Sequence, residues 1–166
     1  MASVLSRLRS LGTVQRCSSL YSTAPVGLAE QPRFLNAVVA LDTGLDPQAL
    51  LQTLLRIEKE YGRDRTAGIV NGPRTLDLDI LLLGDLQVIQ PGLEIPHPRL
   101  AERAFVLIPL HEIAPEVKLT GQGKTVSDLL EMLQRNFQRE SDAVVRIESD
   151  QWNQAHAKAL GAPPLP

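Results

Sequence analysis

One stretch constrains the fold more than any other: Gly72-Pro73-Arg74-Thr75-Leu76-Asp77-Leu78-Asp79-Ile80-Leu81-Leu82-Leu83-Gly84-Asp85. Its apolar run, bounded by Pro73 on one side and a Gly-Asp pair on the other, predicts one strand ending in a tight turn. Side chains alternate across a strand, so Leu76, Leu78, Ile80 and Leu82 share a core face. Asp77 and Asp79 then share the opposite face with Leu81 and Leu83. Carboxylates at that spacing lie about 6–7 Å apart at Cα, and their charges repel unless a cation or an arginine stands between them. Mg²⁺ suits such an all-oxygen pair, because it binds one or two carboxylates and completes its shell with water and substrate phosphates. The plain alternative is a solvent-facing strand with Asp for solubility. Asp is depleted in strands, which favours a metal and phosphate site.

Length bounds the rest. The chain has 166 residues, enough for one domain with a real core and too few for two ordinary ones. Residues 1–139 are assigned to that domain and 140–166 to a C-terminal extension or tail. Apolar residues make up 43% and charged residues 22%, a globular balance, and the net charge of −2 gives no general attraction to nucleic acid or to a membrane surface. No apolar run reaches the length of a bilayer span. Cys17 is the single cysteine, so no internal disulfide forms and a reducing compartment fits. The cytoplasm is the expected location, with the mitochondrion as the alternative. Residues 1–29 hold Arg7, Arg9 and Arg16 and no acid. They read either as an organellar transit peptide or as a helix carrying Val4, Leu5, Leu8 and Leu11 and stopped at Gly12. The helix is the favoured reading.

Along the chain, Thr13 to Tyr21 is β-compatible, residues 22–33 form a loop, and Phe34 to Leu41 predicts a well-buried strand containing the polar Asn36. Asp46 and Pro47 start a helix by capping it. Leu50, Leu51, Leu54, Leu55 and Ile57 form its buried side, and Gly62 ends it. Glu58 and Glu60 read most simply as solvated helix surface. Arg63, Arg65 and Arg74 bracket the aspartate strand and can surround a polyphosphate, since the guanidinium fork matches phosphate oxygens. The alternative is that they balance surface acids. Gly84-Asp85 predicts a hairpin returning through Leu86 to Ile89, broken at Pro91-Gly92. His97, between Pro96 and Pro98, is a candidate phosphate donor or an ordinary surface histidine. Leu100 to Leu110 predicts a short helix limited by Pro109, with Arg103 as its charge. Thr125 and Asp128 cap a last helix whose buried stripe is Leu129, Leu130, Leu133 and Phe137.

Gly72-Pro73-Arg74-Thr75-Leu76-Asp77-Leu78-Asp79-Ile80 resembles the signature of the hydroxymethyldihydropterin pyrophosphokinases of folate synthesis. Three further segments match in order: Tyr21-Ser22-Thr23-Ala24-Pro25-Val26-Gly27, Gln31-Pro32-Arg33-Phe34-Leu35-Asn36, and Pro96-His97 followed by Arg103-Ala104-Phe105. The likeness covers roughly residues 4–135. It implies an α+β, ferredoxin-like sandwich of a mainly antiparallel sheet with flanking helices. It also implies transfer of diphosphate from ATP to a reduced pterin, releasing AMP, with two Mg²⁺. Carried over by position, Asp77 and Asp79 would hold both metals. Thr23 and the backbone at Val26 would fix the pterin, Phe34 and Phe105 would sandwich it, and Asn36 would read its amide edge. Glu58 matches a nucleotide-side acidic residue, while Arg63, Arg65, Arg74, His97 and Arg103 would surround the phosphates.

Two departures set further expectations. The family commonly places an arginine, often followed by tryptophan, just before Gly-Pro-Arg, where this chain has Gly68-Ile69-Val70-Asn71. Loss of that contact over bound ATP predicts a slower enzyme. The family also begins further upstream, with a central strand, whereas this chain starts inside the following helix. The first strand is therefore expected to be missing, leaving open sheet edges that invite self-association or pairing with another folate-pathway enzyme. Two rivals to catalysis follow: a non-catalytic pterin- or nucleotide-binding or partner-docking member of the family, and a different nucleotide-dependent enzyme with an Asp-x-Asp metal site.

Overall fold

A computed structural model describes residues 2–23, 33–62, 76–136 and 143–160. In chain order its elements are α1 (Ala2–Leu8), β1 (Thr13–Cys17), β2 (Leu20–Thr23), β3 (Phe34–Asn36), β4 (Val39–Asp42), α2 (Pro47–Glu60), β5 (Val88–Gln90) and β6 (Leu93–Ile95). A 3₁₀ turn (Leu100–Glu102) follows, then α3 (Ala104–Ile113), α4 (Val126–Asn136), β7 (Val144–Ile147) and α5 (Asp150–Ala159). The architecture is α+β, with antiparallel sheets flanked by helices as expected. Two compact units divide the chain: Gly44–Pro98, and Met1–Thr43 together with Arg99–Pro166. Among the described residues no helix is long and apolar enough to cross a membrane.

In the discontinuous unit, α1 buries Val4, Leu5 and Leu8, the helical stripe read from the sequence. Gly12 lies beyond the helix, and its role is close approach rather than termination. A Cβ there would stand 2.0 Å from the Asp42 carbonyl oxygen, beside the bond from Thr43 Oγ1 to Leu11 O at 2.7 Å. β1 pairs with β4 from Thr13–Asp42 to Cys17–Val39, with a bulge between Val14 and Arg16. β2 pairs with β3 from Tyr21–Asn36 to Thr23–Phe34. Between the two ladders, Ser18 N donates to Val38 O at 2.9 Å, and Ser18 Oγ accepts from Val38 N at 2.9 Å. A serine hydroxyl thus stands in for a ladder carbonyl. The single strand expected at Phe34–Leu41 is therefore two, separated at Ala37 and Val38. Phe34 and Leu35 are exposed rather than buried.

The second edge of β2 is filled by β7, from Leu20–Ile147 to Thr23–Val144. α5 follows, its N-terminus capped by Ser149, whose side chain accepts from Trp152 N at 3.3 Å. Trp152 is buried and its Nε1 donates to Ser18 O at 3.1 Å. Leu5, Val14, Cys17, Leu20, Trp152 and Ala159 form one core cluster. Residues 144–159, read from sequence as part of an extension or tail, supply a strand and a helix of this unit.

α3 runs through Pro109 instead of ending there. The proline removes one helical donor, but Val106, Leu107, Leu110 and Ile113 around it are buried, and burial of that order, about 1.5–3 kcal/mol per side chain, outweighs one lost bond. The C-terminal end of α3 is tied to β1, with Arg16 Nη1 donating to Ile113 O at 2.7 Å. α4 begins at the expected capping box. Thr125 N and Oγ1 donate to Asp128 Oδ2, both at 2.8 Å, and Asp128 N donates back to Thr125 Oγ1 at 3.1 Å. Leu129, Leu130 and Leu133 are buried as read, while Phe137 lies outside the described residues.

In the unit Gly44–Pro98, α2 starts as predicted, with the Asp46 carboxylate accepting from Gln48 N at 3.0 Å and Ala49 N at 2.9 Å. It ends before Gly62, whose φ of 88° suits glycine. The expected strand at Leu76–Leu83 is not part of any sheet among the described residues. Its burial still alternates, with Asp77 and Asp79 exposed between covered Leu76, Leu78 and Ile80. Gly84 (φ 52°) and Asp85 form the tight turn, closed by Leu86 N to Leu83 O at 3.1 Å. The hairpin, however, is β5–β6, with Gln90 opposite Leu93. Pro91 and Gly92 (φ 79°) are its turn rather than its break, the residue order a type II turn requires.

Candidate active site

Three of the residues expected to hold a pterin, Thr23, Phe34 and Asn36, stand on the short β3–β2–β7 sheet. Thr23 faces Phe34 across the ladder and Tyr21 faces Asn36, so the four side chains project from one face. Asn36 Nδ2 donates to Thr23 Oγ1 at 2.9 Å, which fixes the amide plane and its hydrogen-bonding edge. Phe34 is 43% exposed and available for stacking, whereas Thr23 is buried. The same face is covered by α3, since Tyr21 Oη donates to Glu112 Oε2 at 3.0 Å. Phe105 sits in the first turn of that helix, with the Arg103 guanidinium carbon 5.6 Å from its ring centroid, a cation–π distance. Val26 lies outside the described residues.

Glu112 anchors this corner in a way the sequence did not announce. Besides Tyr21, it accepts from Ser19 N at 2.9 Å and Ser19 Oγ at 2.7 Å. Burial, then the hydrogen bond to Glu112, raises the Tyr21 pKa above its ordinary value. Burial, reinforced by the Glu112 charge, pushes the Cys17 thiol up to about 12. Cys17 is consequently an inert core thiol.

Of the residues expected at the phosphates and metal, Glu58, Asp77, Asp79 and His97 belong to the Gly44–Pro98 unit, and Arg103 to the other unit. Asp77 and Asp79 are exposed at alternate positions, and Leu78 N between them donates to Glu58 Oε1 at 2.8 Å. Glu58 is 1% exposed, so it is not the solvated helix acid the plain reading suggested. The signal was present: Leu50, Leu54 and Glu58 are spaced by four and share the buried stripe of α2. His97 follows the cis Ile95–Pro96 bond, and its backbone N donates to Leu81 O at 2.9 Å. Arg63, Arg65 and Arg74 lie outside the described residues. Among the described residues no three His, Cys, Asp or Glu side chains gather as a metal site. Two exposed carboxylates at alternate positions are a hard-oxygen donor set, which fits Mg²⁺ sharing its shell with phosphate and water.

The family model described as 7,8-dihydro-6-hydroxymethylpterin-pyrophosphokinase (HPPK) matches residues 1–115. The chain is 48% identical over 120 residues to the 2-amino-4-hydroxy-6-hydroxymethyldihydropteridine pyrophosphokinase of Synechocystis sp., covering 72% of this chain and 60% of that protein. It is 50% identical over 113 residues to the Pseudomonas aeruginosa protein so named, covering 68% of each. A "Folate synthesis bifunctional protein, mitochondrial" from Pisum sativum is 50% identical over 100 residues, 60% of this chain and 19% of that protein. The chain belongs to the 7,8-dihydro-6-hydroxymethylpterin-pyrophosphokinase family.

Proposed function

We propose that this protein transfers diphosphate from ATP to 6-hydroxymethyl-7,8-dihydropterin. The hydroxymethyl oxygen bonds to the β-phosphorus of ATP and gives up its proton to solvent, the bond from that phosphorus to the bridging α-phosphate oxygen breaks, and AMP leaves with that oxygen. The observation that carries this reading is the Asn36–Thr23 bond beside exposed Phe34, in a chain that retains the paired Asp77 and Asp79. Phe34 and Phe105 offer apolar faces to a flat bicycle, while the held amide of Asn36 sets its orientation. Arg63, Arg65, Arg74, His97 and Arg103 complement the polyphosphate. Phosphoryl-type transfer asks chiefly for positioning and charge neutralisation, and this residue set supplies both without a strong general base. Asp77 and Asp79 would hold two Mg²⁺, which when bound neutralise phosphate charge and make the pterin hydroxyl more acidic.

The test is AMP release from ATP in Mg²⁺ buffer, with and without the hydroxymethyl dihydropterin. Pterin-dependent AMP is expected, at a rate lowered by the Gly68-Ile69-Val70-Asn71 sequence in place of the family's basic and aromatic pair. Nucleotide binding by folded protein with no AMP would instead make this a binding member of the family.

A further inference from the structure

Glu58 breaks two local rules at once. An acidic side chain in the last turn of a helix opposes the macrodipole, and a carboxylate 1% exposed has lost its water. Its placement at the end of α2 is therefore explained by what it holds. Oε1 accepts the amide proton of Leu78 at 2.8 Å, and Leu78 is the residue between Asp77 and Asp79. No strand among the described residues pairs with Leu76–Leu82, so a side chain orders a peptide that a ladder would otherwise order.

We propose that Glu58 is a positioning residue for the aspartate pair. By fixing the peptide plane at Leu78 it keeps Asp77 and Asp79 projecting to one side, a preorganisation that raises affinity for a divalent cation and its phosphate ligand. The inference rests on the proposed function and adds a residue that acts through the backbone amide of Leu78. The needed property is an acceptor oxygen, which glutamine retains and alanine lacks.

The experiment compares the wild-type chain, Glu58→Gln and Glu58→Ala. NMR follows hydrogen exchange at the Leu78 and Leu54 amides, and calorimetry follows binding of MnATP. In E58A, Leu78 exchange should speed up and MnATP binding should weaken, each by about tenfold, the loss of roughly one hydrogen bond to a charged group. Leu54 should stay protected, and E58Q, which keeps an acceptor, should keep Leu78 exchange slow and bind MnATP more tightly than E58A. E58A binding MnATP as tightly as wild type overturns the inference. So does E58Q as weak as E58A, which would make Glu58 a charge contact. If E58A does not fold, the other two proteins decide: slow Leu78 exchange in both wild type and E58Q supports the assignment, and fast Leu78 exchange in either overturns it. Wild-type protein that binds no MnATP would overturn the pyrophosphokinase reading itself, and this inference with it.

Discussion

The residues expected at the pterin and the paired aspartates are ordered by different means. Thr23, Phe34 and Asn36 stand on strands whose backbones are paired, on β2 along both edges. Asp77 and Asp79 stand on a segment outside any described sheet, held through Glu58 at Leu78 and through His97 N at Leu81. A ladder spreads its positioning over many bonds, so changing one side chain removes that side chain's contact and little else. A segment tied at a few points passes the loss of one tie directly to the groups it carries.

The largest expected effect tests the segment. Asp79→Ala should abolish turnover, a loss of about a thousandfold or more, with the urea midpoint unchanged because Asp79 is exposed. A D79A protein that unfolds early, or one that turns over near the wild-type rate, would break the comparison. On the sheet side, Trp152→Ala should destabilise by about 3–5 kcal/mol in urea unfolding, since it empties a site beneath β1 and β2 and removes the bond to Ser18 O. Asn36→Ala should be milder, raising KM for the pterin about tenfold through roughly one lost hydrogen bond, with stability nearly intact. The smallest effect lies at the α4 cap. Hydrogen bonds from Thr125 hold the Asp128 carboxyl below its ordinary pKa. Because its folded pKa is below the unfolded one, its stabilisation is complete above about pH 4 and fades as pH falls through the folded value. Asp128→Asn should flatten that acid limb of the stability curve by slightly lowering stability at neutral pH, and leave acid pH almost unmoved.

What the sequence revealed was local chemistry. Asp46 with Pro47, Gly62, and Thr125 with Asp128 marked helix ends because a cap needs neighbours only a few residues away. The alternation at Leu76–Ile80 also survived, giving exposed Asp77 and Asp79. The strand assignment there did not, because a ladder depends on a partner that no local pattern encodes. β7 was missed for the complementary reason: Val144–Ile147 is a weak strand by itself and gains its order from β2. Glu58 could have been found, since an acid on an apolar stripe spaced by four is an anomaly worth explaining. Glu112 could not, because its donors Ser19 and Tyr21 are 93 and 91 residues away.

The bond from Trp152 to Ser18 spans 134 residues, and it sets a timetable. At roughly 5–20 residues per second of synthesis, Ser18 emerges on the order of 10 s before the tryptophan that covers it. Through that interval Leu20 and Cys17 wait without Trp152 and without β7 along the edge of β2, while the uninterrupted Gly44–Pro98 stretch is completed before the interval ends. Nascent chains of this protein thus expose β1 and β2 to misassociation until β7 and α5 are made.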